Sequence, residues 1–138
     1  MISTVAVGTD GSETAEEAVR QAAEIARRYG AKLMLLSAFP AQGFAAYAGI
    51  DPEWASGSQT DARTILERSQ TALREEGIEC ETRSAEGDPA DVLVRLAEEC
   101  RADLLVIGNK GIQRRVLGSV PNTVTRKADC SVMVVKTT

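Results

Sequence analysis

Between Gly108 and Ser119 the chain reads GNKGIQRRVLGS, so that glycines at 108, 111 and 118 flank a run holding Lys110, Arg114 and Arg115. Residues of these types can hold a phosphate. Glycine lets backbone N–H groups approach an anion without a Cβ in the way, and a helix opening at Gly118-Ser119 presents unpaired N–H groups in its first turn. Arginine can fork two donors onto phosphate oxygens. The same residues also suit two turns between a strand and a helix, and anion chemistry alone does not choose between the readings. A second group of interest is Asp10, in Thr9-Asp10-Gly11-Ser12. It is either an acceptor for a ligand hydroxyl or amine, or a turn aspartate that caps its own backbone.

Other chemistries are absent from the pattern. The sequence has no GxxxxGK[ST] and no GxGxxG after its first apolar run, so neither a P-loop nor a dinucleotide fingerprint is present. It has no histidine, which removes a His-based triad for Ser12 or Ser119 and a His-containing zinc set. Cys80, Cys100 and Cys130 are far apart without CxxC spacing and read as buried or inert thiols. A net charge of −4 and a pI near 4.9 oppose sequence-independent binding to nucleic acid. The start, MISTVAVGTDGS, has no basic n-region and only a short apolar run, so neither a signal peptide nor a membrane anchor is expected, and a cytoplasmic location is.

The elements that must position these residues follow from periodicity. With 138 residues and 43% apolar content, one domain spanning 1–138 is expected. Thr4–Thr9 is a short β-branched run of the kind buried on both faces of a sheet. From Ser12 a helix is predicted, with Ser12 as N-cap, Glu13 and Glu16 in the first turn and Gly30 as C-cap. Its apolar stripe is Ala15, Ala18, Val19, Ala22, Ile25, Ala26 and Tyr29. Lys32–Phe39 is a second strand and Asp61–Glu76 a second helix. Ile78–Ser84 alternates strictly, as an edge strand does, and Asp88-Pro89 opens a third helix. Ala102–Gly108, a short helix over Ser119–Ala128 and a fifth strand over Ser131–Lys136 complete the pattern. Strands alternating with helices along the whole chain predict a parallel sheet covered on both faces.

In such a sheet ligands bind beyond the carboxyl ends of the strands, where neighbouring crossovers depart in opposite directions. If the first and fourth strands are neighbours, Asp10 and the Gly108 segment share one crevice. The long connection Pro40–Thr60, holding Phe44, Tyr47 and Trp54, is either a lid over that crevice or a loop held down by its own aromatics.

Taken together, GNKGIQRRVLGS preceded by ADLLVIG and followed by a helix and SVMVVK, with VGTDGSETAEEAV near the start, resembles the universal stress protein family over nearly the whole chain. The resemblance implies an α/β fold of the adenine nucleotide alpha-hydrolase-like kind: a three-layer, doubly wound open sheet of five parallel strands in order 3-2-1-4-5, commonly as a homodimer. The family's nucleotide-binding branch carries G-x2-G-x9-G-[ST], which cradles the phosphates and ribose of ATP. Carried over, Gly108 and Gly111 stand for the first two glycines and Gly118 with Ser119 for the final pair. Asp10 falls near the adenosine and Ala38 where the backbone reads adenine, while Asn109 and Val120 line the phosphate and ribose region. Gly8, Thr9, Ile107 and Arg114 complete the expected site.

Inside the motif, Ile112–Leu117 is six residues where the family pattern has nine. Six extended residues still reach roughly 20 Å, enough to bridge the two glycine ends. Pro121 removes one N–H in the first turn of the following helix. Both departures bear on the terminal phosphates more than on the adenosine. The expectation is therefore a non-enzymatic, ATP-binding stress or regulatory protein, with slow hydrolysis conceivable and any divalent metal held by the phosphates. AMP or cyclic AMP is the alternative ligand. Two further readings stay open. One is an interaction module without nucleotide, paired through Ser131–Lys136, because an apolar edge strand needs a partner. The other is an FMN carrier using TDGSET after the first strand.

Overall fold

The computed structural model describes residues 1–40, 59–109 and 119–136. Its strands are β1 (Thr4–Gly8), β2 (Lys32–Phe39), β3 (Glu81–Glu86), β4 (Leu104–Gly108) and β5 (Ser131–Val135). The described helices between them are α1 (Glu13–Tyr29), α2 (Gln59–Glu75), α3 (Pro89–Glu99) and α4 (Ser119–Lys127). All strand pairs are parallel, in the order β3-β2-β1-β4-β5, as expected from the resemblance.

The sheet is covered on both faces, and alternation along each strand decides which side chain goes where. Val5, Val7, Leu33, Leu35 and Val106 pack with α1 and with Leu66 and Leu73 of α2. Ala6, Met34, Leu36, Leu105 and Ile107 pack on the other face with α3 and with Val124 of α4. Burying such a side chain stabilises the fold by about 1.5–3 kcal/mol each, which explains the continuous apolar runs of β1, β2 and β4.

Local signals set the helix ends. Ser12 caps α1 by accepting the Ala15 amide at 3.2 Å, and Gly30, at φ 66°, ends it in the left-handed region. Asp88 caps α3 by accepting the Asp91 amide, with Pro89 in the first turn. Tyr29 departs from the expected stripe: it is exposed, because Gly30 reverses the chain at once into β2 and the last turn overhangs the core. Ala23 joins the buried face of α1.

β3 also differs, beginning at Glu81 instead of Ile78. The Ile78 amide turns back to the Leu73 carbonyl after Gly77, whose φ is 81°, and the Cys80 carbonyl accepts the Gln70 side chain at 2.8 Å. Residues 78–80 thus finish α2, and pairing starts at Glu81 beside Met34. β3 is an edge strand, as its alternation predicts. At the other end of the ladder, the Asp103 carboxylate accepts the Ser3 and Thr4 amides at 2.8 and 2.9 Å and pins the start of β1 to that of β4.

Candidate functional site

The two central strands separate early. β1 and β4 are paired from Val5–Leu104 to Val7–Val106. Beyond that, the outer ladders continue: Gly8 still pairs with Leu36, and the Thr9 amide donates to the Leu36 carbonyl at 2.9 Å. On the other side Gly108 pairs with Val135, and the Asn109 amide donates to the Val135 carbonyl at 2.9 Å. Each central strand therefore holds to its outer neighbour after leaving the other. This occurs at the switch point, since the chain runs outward from β1 to β2 and β3 and then crosses to β4 and β5.

The polar groups collect at these ends. Among the described residues the buried polar ones are Thr9, Ser37 and Asn109, at the carboxyl ends of β1, β2 and β4. A buried polar group is costly unless it is satisfied, so this placement marks where the sheet meets something other than core. Thr9 Oγ1 accepts the Gly11 amide at 3.1 Å, and Asp10 Oδ1 accepts the Ser12 amide at 2.9 Å. Asp10 thus makes the local turn. Its side chain is nevertheless exposed, and a carboxylate has further lone pairs for a ligand donor. The turn role is the one the geometry shows, and it does not use the whole carboxylate.

The glycines divide by role. A Cβ on Gly8 would lie 2.8 Å from Leu93 Cδ1, so Gly8 is explained by helix packing. Among the described residues a Cβ on Gly108 would meet Thr14, whose carbonyl oxygen would lie at 3.4 Å and whose Cβ would lie at 3.9 Å. No described neighbour requires that glycine for packing. Ile107 is buried in the core, while Ala38 and Val120 are half-buried against the α3 and α4 side.

Gly111, Arg114 and Gly118 lie outside the described residues, as does the Pro40–Thr60 connection over 41–58, and Ser119 is placed only as the first residue of α4. The first turn of α4 holds no acidic residue, whereas α1, α2 and α3 each carry one or more there. The positive end of its dipole is left without a carboxylate of its own. Ser37, with Ala38 and Phe39 the end of the second strand in the sequence, is buried there. The cysteines are half-buried, less enclosed than expected, and burial pushes all three thiols up. Among the described residues no group of three or more His, Cys, Asp or Glu could hold a metal ion, and no helix is long and apolar enough to cross a membrane.

Residues 1–136 match the sequence profile of the universal stress protein family. A universal stress protein of Mycobacterium tuberculosis is 41% identical over 142 residues, covering 98% of this chain and 97% of its own. Among solved structures, a universal stress protein in complex with cAMP superposes with a TM-score of 0.77 at 36% identity, over 99% of both chains. The Archaeoglobus fulgidus universal stress protein in complex with dAMP does so with a TM-score of 0.74 at 30% identity, over 99% of this chain and 100% of its own.

Proposed function

The chain belongs to the universal stress protein family, and from that premise we propose that it binds an adenine nucleotide in the crevice between the carboxyl ends of β1 and β4. The observation that carries this reading is the early parting of those strands, with Thr9 and Asp10 on one lip and Gly108 and Asn109 on the other. The adenosine lies toward Ala38 and Asp10, the ribose and phosphate toward Gly108, Asn109, Gly111, Gly118, Ser119 and Val120, with Arg114 adding charge. Support comes from the cAMP and dAMP held by two relatives of this fold.

A ligand with a single phosphate fits this chain better than ATP. The loop Ile112–Leu117 is short, Pro121 lacks an N–H, and the two relatives just named hold monophosphates. A divalent ion would arrive with the longer phosphate tail of ATP. The protein acts by being bound or free and not by rapid turnover: it has no histidine, and the Ser12 hydroxyl is committed to capping α1. Calorimetry of the purified protein against cAMP, AMP, ADP and ATP tests this. Binding of the monophosphates at least as tight as ATP is expected; no heat with any of the four sinks the proposal, and ATP alone binding reverses the preference.

A homodimer joined through Ser131–Lys136 belongs to the same proposal. β5 ends the sheet, and Val134 is 37% exposed on it, an apolar side chain on an open edge. Pairing with a second copy about a twofold axis removes that edge.

A further inference from the structure

At the end of the sheet opposite the crevice, α3 closes at Cys100 and Cys130 immediately precedes β5. A cavity of about 290 Å³ lies there, walled by residues that include Ala97, Arg101, Ala102, Ala128 and Cys130. The Cys100 thiol donates to the Ala97 carbonyl oxygen at 3.5 Å, so a single wall residue touches one thiol and shares the cavity with the other. Both cysteines pack on the same core cluster beneath α3 and α4. Cys80 is set apart, packed on the opposite face of the sheet with α1 and α2.

We propose that Cys100 and Cys130 form a peroxide-reactive dithiol that closes to an intrachain disulfide. The oxidant is a hydroperoxide. One cysteine loses its proton to solvent and, as thiolate, attacks an oxygen of hydrogen peroxide; the O–O bond breaks to give a sulfenic acid and hydroxide, which takes up a proton as water. The second thiol attacks the sulfenic sulfur, the S–O bond breaks, and the oxygen leaves with two protons as water. For hydrogen peroxide, two thiols lose two electrons and two protons, and one peroxide becomes two waters. Burial pushes both thiols up, which lowers the thiolate fraction and makes closure slow, and excess peroxide speeds it. The bond would join the end of α3 to the start of β5, enclosing β4, the GNKGIQRRVLGS segment and α4 in one covalent loop. The chemistry requires no bound nucleotide.

The test uses the full chain without nucleotide, which begins with three free thiols. After excess hydrogen peroxide, quenching and alkylation, the expected titre is one thiol in place of three. Peptide mapping should find Cys100 linked to Cys130 within one chain, and dithiothreitol should restore both. The Tm should rise by about 5 °C or more, because the cross-link constrains the unfolded chain. Cys80→Ser should leave the linkage intact, and Cys100→Ser or Cys130→Ser should each abolish it. Retention of all three thiols, overoxidation of single cysteines without a link, or a main product containing Cys80 or joining two chains overturns the proposal.

Discussion

Gly108 faces the Thr14 carbonyl with room for a methyl group: a Cβ there would stand 3.4 Å from the oxygen, in ordinary van der Waals contact. Gly8 has no such room beside Leu93. Two glycines at neighbouring strand ends thus differ in their described surroundings, one pressed against a leucine side chain and the other in ordinary contact with Thr14.

The first prediction separates them. Gly108→Ala should keep thermal stability within about 1 kcal/mol of the parent, since no described neighbour is displaced, yet weaken nucleotide binding tenfold or more. Gly8→Ala should cost about 1–3 kcal/mol, the usual penalty for overpacking, with Leu93 forced to shift. Thermal melts and calorimetry read both. A Gly108→Ala protein that binds normally would remove this glycine from the site.

Asp10 supports a charge test that preserves its turn. Asn retains an oxygen for the Ser12 amide but loses the negative charge, so Asp10→Asn should change stability by less than about 1 kcal/mol. A charge-assisted bond to a ligand hydroxyl is stronger than a neutral one, and its loss should weaken affinity about tenfold. Asp10→Ala should lose the turn as well, lowering both. Unchanged affinity in Asp10→Asn would leave the residue as a turn former only.

How much of this was legible beforehand depends on the range of the interactions. β2 is legible to the residue, because its run Lys32–Phe39 is nearly continuously apolar after Lys32 and is bounded by Gly30 and Pro40. The caps Ser12 and Asp88 were legible because a cap bonds a backbone three residues away. The start of β3 was not, since alternation from Ile78 onward looks the same whether or not a ladder pairs it; the closure of α2 through Leu73 and Gln70 decides. In the site, Asp10 and Gly108 were marked by type and by strand ends. The division between Gly8 and Gly108 was invisible, because it rests on Leu93 and Thr14, which lie far along the chain or on another element. The position of Ser37 at the end of the second strand was legible, but its burial was not, being set by the sheet around it.

Asp103 predicts the acid limb of stability. The amides of Ser3 and Thr4 hold its carboxyl below the usual carboxylate range. A carboxylate with a depressed folded pKa stabilises the fold above its unfolded value of about 3.9, and this contribution fades as pH falls through the folded value. Asp103→Asn should therefore lower Tm at pH 7, with the two proteins converging in acid as wild type becomes protonated. The side chain is exposed, so the effect should be modest and reduced by salt. Parallel curves from pH 7 to pH 3 would show that the link contributes no pH dependence.

The β5 edge gives the last prediction. In a lone chain Val134 is partly open to solvent, and replacing it by lysine should alter stability by no more than about 0.5 kcal/mol. In a twofold dimer paired through β5, the same substitution sets like charges near each other across the axis in a closed apolar seam, where burying an uncompensated ammonium is expensive. Light scattering after size exclusion should thus show a dimer for the parent and a monomer for Val134→Lys, with little change in the circular dichroism of either. A parent that is monomeric at working concentration rules out the pairing. A Val134→Lys protein that stays dimeric moves the interface elsewhere, and the edge must then be protected by something other than a second copy of itself.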